Sequence, residues 1–319
     1  MINFTKEVSI AAVKIRPFVR ETPLDYSIPL SQITGSKVYI KCENLQYTGA
    51  FKVRGAINKL LSLNPCQSKL GVVTASTGNH GAAVAYVLNK LGMKGIVFVP
   101  ENASNTKVEN IKNYNVPVEF HATDCMAAEM HAIEYSRKHN MIYVSPYNDI
   151  DVIVGQGTIG LEIWQQLNAV DYVLVPIGGG GLISGIAGYL KSVSPNTKII
   201  GCLPTNSPVM SASIKAGKII DMETLPTLSD ATAGGIEADA ITFPLCQQYV
   251  DDYINVTEDE IKNALVTAIK TQHLLLEGAA GVALGALLKN AEGFEGKNVV
   301  VVLSGGNISV DTLRLVLES

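Results

Sequence analysis

The chain has 319 residues, of which 47% are hydrophobic, and its formal net charge is −4. A chain of this length can bury a sizeable core in one large domain or in two modest ones. The acidic balance and the lack of a cationic block argue against nucleic acid or an anionic membrane as the main partner. Scattered single cysteines and an N-terminus without a secretory signal favour a reducing, cytoplasmic location.

Short apolar strands alternate with helices along most of the chain. The first thirty-odd residues are predicted to be irregular because prolines punctuate them, and so are residues 218–250. The alternation predicts parallel sheets joined by right-handed crossovers, and therefore an α/β fold. The predicted strands are 37–41, 71–74, 95–100, 116–120, 141–144, 172–176, 198–203 and 298–303. The predicted helices are 52–61, 81–91, 105–114, 125–139, 155–167, 182–191, 208–216, 278–288 and one that begins after Thr257.

Lys52 opens a predicted helix, shortly after a loop that contains Gly49. The positive end of a helix dipole favours the neutral amine of a lysine over its ammonium form. A lysine that is held neutral is a nucleophile, and Schiff-base formation is its usual chemistry. A lysine at a helix start is also a common surface feature, so the local sequence alone leaves both interpretations open.

Four consecutive glycines, 178–181, lie between a predicted strand and a predicted helix. The backbone N–H groups of such a loop converge on an anion, and the helix adds its positive end. The spacing does not match Gly-x-Gly-x-x-Gly and no Gly-Lys-Ser/Thr follows, so a monophosphate fits better than a dinucleotide or a nucleoside triphosphate. The uncharged stretch 172–190 has the length of a membrane span, but Pro176 and the glycines would break such a helix.

Two further loops follow predicted strands at the edge where open α/β sheets bind ligands. The loop 76–80, Ser-Thr-Gly-Asn-His, offers hydroxyl, amide and backbone N–H groups that could bind a carboxylate, although the same residues are also good helix caps. Ser304 follows the last predicted strand and precedes two glycines. It is therefore either a turn residue or a ligand-binding hydroxyl.

These segments occur in a fixed order: Thr-Gly-Ala-Phe-Lys at 48–52, Ser-Thr-Gly-Asn-His at 76–80, four glycines at 178–181 and Ser-Gly-Gly-Asn at 304–307. Each segment alone is a weak signal, but together, at these separations, they are specific. In this arrangement the chain resembles the fold type II pyridoxal-phosphate enzymes, most closely the serine/threonine dehydratase and serine racemase branch. The resemblance extends from about Ile15 to Leu315.

The resemblance implies a two-lobed α/β fold like that of the tryptophan synthase β chain, with mostly parallel sheets flanked by helices. It places a small substrate-side domain at 71–148 and a large cofactor-binding domain at 1–70 and 149–319. Relatives of this kind are often dimers, so a homodimer is expected.

The resemblance also implies roles for individual residues around pyridoxal 5′-phosphate. Lys52 would form the Schiff base and act as the catalytic base, and Phe51 would lie among the cofactor-binding residues. Asn79 would bind the phenolic oxygen and Ser304 the pyridine nitrogen. The cofactor's phosphate and ring would be lined by glycine backbone, namely Gly178, Gly179, Gly180 and Gly181 for the phosphate and Gly235 for the ring. The substrate carboxylate would be held by Ser76, Thr77, Gly78 and His80.

Some positions depart from the family pattern. Thr77 stands where serine racemase has the serine that acts as a base on the opposite face, and its methyl group stiffens the side chain, which argues against racemisation. Leu203 stands where many relatives have the glutamate of a divalent-cation site, so no metal is predicted. Ala50 replaces the usual serine before Phe-Lys, and this change has no interpretation. Glu277 also occupies a family position, where it is interpreted as a helix-start residue rather than a catalytic acid.

The sequence therefore predicts a pyridoxal-phosphate-dependent β-elimination. L-Threonine or L-serine would be dehydrated and deaminated to a 2-keto acid and ammonia. The alternatives are an amino-acid racemase on the same scaffold, a dehydratase of 3-hydroxyaspartate or of an ectoine-derived hydroxy amino acid, and a catalytically silent protein that binds the cofactor or an amino acid. The residues that select the β-substituent are expected in the less regular segments, with Tyr147 and Glu237 as candidates.

Overall fold

A computed structural model describes the fold at residues 2–123 and 125–318, and the side chains at all of these positions except Thr106 and Cys125. Within these ranges the chain forms ten strands and fourteen helices. The strands are β1 Leu24–Tyr26, β2 Lys37–Lys41, β3 Val72–Ala75, β4 Gly95–Val99, β5 Val118–Phe120, β6 Ile142–Tyr143, β7 Tyr172–Pro176, β8 Lys198–Pro204, β9 Asp252–Val256 and β10 Asn298–Val302. The helices are α1 Phe4–Ile15, α2 Ile28–Thr34, α3 Lys52–Ser62, α4 Pro65–Leu70, α5 Asn79–Leu91, α6 Asn105–Lys112, α7 Cys125–Lys138, α8 Ile150–Gln166, α9 Gly181–Val193, α10 Val209–Ala216, α11 Thr242–Tyr249, α12 Glu258–Gln272, α13 Gly278–Lys289 and α14 Val310–Leu317.

These strands form two separate sheets. One sheet has six strands in the order β1-β2-β10-β7-β8-β9, and among its pairs β1–β2 is antiparallel while the others are parallel. The other sheet has four strands in the order β5-β4-β3-β6 and its pairs are parallel. Parallel neighbours require long crossover connections, which the helices supply. The predicted α/β class, with mostly parallel sheets flanked by helices, is confirmed.

Helices cover both faces of each sheet, which explains why the strands are apolar on both sides. In β10, Val300 and Val302 join a core with α1, α8 and α9, whereas Val299 and Val301 join a core with α12 and α13. In the four-stranded sheet, α5 belongs to the core on one face and α7 to the core on the other. Successive strand residues point to opposite faces, so an apolar run is the pattern that a doubly covered sheet requires.

The prediction that the first thirty-odd residues are irregular is wrong, because they form α1, β1 and the start of α2. Asn3 caps α1 by accepting a hydrogen bond from the backbone N–H of Lys6 at 3.1 Å. Pro17 lies just beyond the end of α1, and Pro29 lies in the first turn of α2. A proline at either place removes no intrahelical hydrogen bond, so these prolines mark helix ends.

Residues 218–250, also predicted to be irregular, contain α11, and β9 follows directly at the edge of the large sheet. Neither element was predicted, and neither were α4 and α14. No helix in the described part of the chain combines the length and the apolar character that a bilayer crossing requires. The uncharged stretch 172–190 instead forms β7, the glycine loop and most of α9.

Helix α8 begins several residues earlier than the predicted 155–167. The side chain of Asp149 accepts hydrogen bonds from the backbone N–H groups of Asp151 at 2.8 Å and Val152 at 3.2 Å, and so begins the helix. The helix predicted to begin after Thr257 is confirmed as α12, and Thr257 and Glu260 form a capping box at its start.

Candidate active site

A cavity of about 480 Å³ lies at the carboxyl ends of β3, β4, β7 and β10, between the two sheets. Most of the predicted site residues line this cavity, namely Phe51, Lys52, Ser76, Thr77, Gly78, Asn79, His80, Gly178, Gly179, Gly180, Gly181 and Ser304. Gly235 is not among the lining residues, whereas the nearby Thr232 and Ala233 are. The fold therefore brings segments from four distant parts of the sequence to one place.

Lys52 is the first residue of α3 and lines the cavity. Its Nζ donates a hydrogen bond to the carbonyl oxygen of Pro146 at 2.7 Å. Among the described residues, no carboxylate lies within ion-pair distance of this amine. Burial lowers the pKa of the amine to about 8, although the charges of Glu277 and Glu129 oppose the shift. A sizeable fraction of the amine is therefore neutral near pH 8, with burial as the main cause.

The loop that precedes Lys52 is fastened to the loop that follows β10. The N–H of Phe51 donates to the carbonyl oxygen of Ser304 at 3.0 Å, and the N–H of Gly306 donates to that of Gly49 at 2.8 Å. Backbone bonds of this kind hold a side chain more firmly than a free loop would. The positions of Lys52 and Ser304 relative to each other are thus set by the backbone.

Ser304 follows β10 directly and is buried. Its Oγ has no hydrogen-bond partner among the described residues. An unpaired buried hydroxyl costs free energy, and such groups are rare unless a ligand meets them. Because the same residue lines the cavity, its hydroxyl fits an acceptor on a ligand there.

The glycine loop connects β7 to α9. A Cβ on Gly179 would overlap the ring of Tyr147, and a Cβ on Gly178 would lie 2.9 Å from the Cα of Thr232. Gly180 has a φ of +87°, which side chains other than glycine rarely adopt. The cavity is therefore lined here by bare backbone at the N-terminus of a helix, an arrangement that suits a phosphate group.

The loop 76–80 joins β3 to α5 and lines the cavity. Gly78 is the N-cap of α5, and no side chain caps the helix. The first N–H groups of a helix without a side-chain cap are available to an anion. This observation supports the predicted carboxylate-binding role for the turn formed by Ser76, Thr77 and Gly78.

The hydrogen bonding and protonation of His80 do not fit its predicted role as a carboxylate ligand. Its Nε2 lies 3.0 Å from the carbonyl oxygen of Val144, and a carbonyl can only accept, so Nε2 carries the proton. Burial, helped by the charge of Lys52, lowers the pKa of the imidazole to about 3, so the ring is neutral. Nδ1 is then an acceptor, which a carboxylate would not bind.

Asn79 begins α5, and its amide is held from two sides. The Nδ2 atom donates to both carboxylate oxygens of Glu277, at 2.8 and 2.9 Å. The Oδ1 atom accepts from Nδ2 of Asn307 at 2.7 Å. These bonds cross the cavity between the two sheets and fix the orientation of the Asn79 amide.

Glu277 is a residue whose role the sequence did not reveal. It is the N-cap of α13, as its helix-start position predicted, but its side chain makes no capping bond and lines the cavity instead. Burial raises the pKa of its carboxyl to about 7. Its contact with Asn79 joins residues 198 positions apart, a separation that no local pattern signals.

Glu129 of α7 also lines the cavity, although no sequence pattern singles it out. Of the two residues proposed to meet the β-substituent, Tyr147 lines the cavity, and its Oη accepts from the backbone N–H of Glu237 at 2.9 Å. Among the described residues, no group of three or more His, Cys, Asp or Glu side chains is arranged to hold a metal ion.

Residues 15–305 match the family described as pyridoxal-phosphate dependent enzyme. The chain belongs to this family. The features of the cavity fit the cofactor, because a pyridine ring would provide an acceptor for the unpaired hydroxyl of Ser304, and a phosphate would occupy the bare glycine loop. Lys52, Asn79, Ser304 and the loop 178–181 are the residues that would hold it.

Individual relatives agree with the family assignment. An L-threonine ammonia-lyase of Thermotoga maritima is 38% identical over 313 residues, which are 98% of this chain and 78% of the relative. The solved structure of threonine deaminase isoform 2 from Solanum lycopersicum superposes with a TM-score of 0.95 at 32% identity, covering 99% of this chain and 86% of that one. Maize serine racemase superposes with a TM-score of 0.91 at 31% identity, covering 98% and 96%.

Proposed function

We propose that this chain is a pyridoxal-phosphate-dependent ammonia-lyase that converts L-threonine or L-serine to a 2-keto acid and ammonia. The observation that carries the proposal is that the amine of Lys52 lines the same cavity as the uncapped N-terminus of α5, the glycine loop 178–181 and the unpaired hydroxyl of Ser304. The names of the similar ammonia-lyase and deaminase support the same reaction.

Pyridoxal phosphate, when bound, supplies an electron sink for the bond electrons of the substrate α-carbon. Lys52 would hold the cofactor and then take the α-proton at Nζ, since its amine is positioned and near-neutral. The turn of Ser76, Thr77 and Gly78 would hold the substrate carboxylate at the N-terminus of α5. Ser304 offers the ring nitrogen a hydroxyl rather than a carboxylate, which favours elimination over reactions that need a long-lived carbanion.

A racemase is the alternative, since maize serine racemase shares the fold. Racemisation requires a proton donor on the face opposite the first base. Thr77 lines the cavity, but its branched side chain has fewer rotamers than a serine and brings a methyl group into the site. Accumulation of D-serine from L-serine, without keto acid, would establish the racemase instead.

We also propose a cytoplasmic homodimer in which the small substrate-side domain is 71–148 and the large cofactor-binding domain is 1–70 and 149–319. The four-stranded sheet, built from strands between residues 72 and 143, supports this division. Exposed apolar side chains on α1, β1 and α2 support an interface between two copies, namely Ile10, Val13, Tyr26, Ile28 and Ile33. Light scattering on the purified protein would measure the mass of the assembly, and a monomer would contradict the proposed dimer.

The test of the proposed reaction is a keto-acid assay combined with the visible spectrum of the purified, cofactor-loaded protein. We expect a yellow protein whose spectrum changes on addition of L-threonine or L-serine while keto acid and ammonia appear in equal amounts. A yellow protein that produces neither compound from either amino acid would contradict the proposed reaction.

A further inference from the structure

The cavity contains more acidic groups than a small neutral substrate needs. Its carboxylates are those of Glu129, Asp230 and Glu277, and its lysines are Lys52 and Lys107. Asp230 is paired with Lys107 at 2.7 Å, and both oxygens of Glu277 accept from Nδ2 of Asn79, at 2.8 and 2.9 Å. Glu129 is the lining carboxylate that, among the described residues, is paired neither with a cation nor with an amide.

Glu129 is held in place by a single side chain. The hydroxyl of Tyr143 donates to its Oε1 at 2.6 Å, and among the described residues no other donor reaches the carboxylate. Tyr143 lies in β6, three residues before Pro146, whose carbonyl oxygen accepts the hydrogen bond from Lys52. The carboxylate is therefore tied to the same segment that holds the reactive amine.

A second carboxylate, that of Glu237, lies close enough to Glu129 for its charge to act on that group. Glu237 accepts from Nδ2 of Asn148 at 2.8 Å through Oε2, but its Oε1 is buried without a partner among the described residues. Burial raises the pKa of the Glu129 carboxyl, and the nearby charge of Glu237 raises it further. A positive group beside Glu129 would lower the pKa of its carboxyl again, whereas a negative group would raise this pKa further.

In the pose expected for a substrate, its side chain faces the part of the cavity that Glu129 lines. Under the proposed function, the α-amine meets Lys52 and the α-carboxylate meets the loop 76–80. The remaining lining includes Glu129 together with Pro146 and Tyr147. A group on the γ-position of an amino acid would thus experience the Glu129 carboxylate in a partly desolvated site.

We propose that Glu129 is a specificity-determining residue that favours hydroxy amino acids with a cationic group at the end of the side chain and rejects those with a carboxylate there. This inference rests on the proposed function for the pose of the substrate. It extends the substrate class beyond threonine and serine toward β-hydroxy amino acids that carry an additional ammonium group. Of the alternatives raised by the sequence, it disfavours 3-hydroxyaspartate, because its second carboxylate would face Glu129.

The test is binding to the cofactor-loaded protein of three amino acids that differ at the γ-position. L-2,4-Diaminobutyrate carries an ammonium there, L-homoserine a hydroxyl and L-aspartate a carboxylate. We expect calorimetry to rank their affinities in that order, with at least about tenfold between the first and the last. Glu129→Gln, which keeps the shape of the side chain, should shrink this ratio by about tenfold.

The matched control is Glu134→Gln, which removes a charge from an exposed position on the same helix and should leave the ratio unchanged. Equal binding of diaminobutyrate and aspartate by the unmodified protein would overturn the inference. An unchanged ratio in Glu129→Gln would overturn it as well, and so would the failure of all three ligands to bind. These binding results are independent of keto-acid formation from L-threonine, so a failure of the proposed reaction would be seen separately.

Discussion

The molecule contains two groups of enclosed polar side chains, one of which is fully paired and one of which is not. The first, called here the buried ion network, consists of Lys41, Glu43, Arg54 and Glu162. Arg54 donates from Nε to Glu43 at 2.8 Å and from Nη1 to Glu162 at 2.6 Å. The amine of Lys41 donates hydrogen bonds to Glu162, to the carbonyl oxygen of Thr22 and to Gln166.

The second group lines the cavity and includes Lys52, which lies two residues before Arg54 in α3. Lys52 donates to a carbonyl oxygen and pairs with no described carboxylate, while Ser304 Oγ and His80 Nδ1 lack partners among the described residues. The pKa values follow this difference. Although burial works against the charge, Glu43 and Glu162 raise the pKa of Arg54, whereas burial without such partners lowers that of Lys52 to about 8.

The comparison teaches that burial alone does not mark a site. A buried charge that is saturated by its neighbours stabilises the fold, and removal of one partner is costly. A buried group that is left unpaired costs free energy in the absence of a ligand, and that cost is recovered when a ligand binds. Unpaired atoms around a cavity are therefore a better indicator of function than charge or burial.

The largest expected effect on stability comes from breaking the buried ion network. Arg54→Ala leaves the carboxylates of Glu43 and Glu162 buried without their partner, so we expect the free energy of unfolding to fall by about 3–5 kcal/mol. Denaturant titration measures this change. The control is Arg16→Ala, which removes an exposed ion pair with Glu21 and should cost about 0–1 kcal/mol. Similar losses of unfolding free energy in the two variants would contradict the claim that the buried ion network stabilises the fold more than an exposed ion pair does.

An intermediate effect is expected when the acceptor of Asn79 is replaced. Glu277→Gln places an amide donor against the donors of Asn79 and should lower kcat/KM for L-threonine by about 10–100-fold. Because the pKa of Glu277 is about 7, the accepting carboxylate forms as the pH rises through 7. We therefore expect a rise in kcat/KM of the unmodified enzyme in this pH range.

The pH profile separates this role from a general loss of activity. The rise near pH 7 should be absent in Glu277→Gln and preserved in Glu292→Gln, which changes an exposed carboxylate. A rise near pH 7 that persists in Glu277→Gln would refute the assignment of this titration to Glu277.

The smallest effect on stability is expected at the unpaired hydroxyl. Ser304→Ala removes an oxygen that bonds to no described residue, so the free energy of unfolding without cofactor should change by less than about 0.5 kcal/mol. The matched variant Thr22→Val removes a hydroxyl that donates to Glu43 at 2.5 Å, and it should cost about 1–3 kcal/mol. Cofactor affinity should fall in Ser304→Ala and not in Thr22→Val. The opposite order of stability losses would show that Ser304 is paired within the protein.

The sequence predicted those parts of the site that depend on short segments. The loop 76–80, the glycine loop and Ser304 each directly follow a strand, and parallel strands bring their carboxyl ends to one edge, so their convergence followed from the alternation of strands and helices. Lys52 could be selected as a nucleophile from its place at a helix start. The larger cause of its lowered pKa, burial between the two sheets, depends on the tertiary fold.

The parts that the sequence did not predict depend on contacts between distant segments or on weak local signals. The hydrogen bonds from Asn79 to Glu277 and from Tyr143 to Glu129 exist only in the folded chain. Helix α1 was missed because Pro17 suggested irregular structure, although the proline lies beyond the helix end. The role predicted for Gly235 beside the cofactor ring stays a prediction, and this residue is not among those that line the cavity.

The most direct test of the difference between the two groups is to identify which lysine the cofactor modifies. Lys41 and Lys52 are both enclosed by the protein, but the amine of Lys41 is saturated by three acceptors, whereas that of Lys52 faces the cavity. Borohydride reduction of the pyridoxal-phosphate-loaded protein, followed by peptide mass mapping, should find the pyridoxyl group on Lys52. A label on Lys41, or on any lysine other than Lys52, would contradict the assignment of the site.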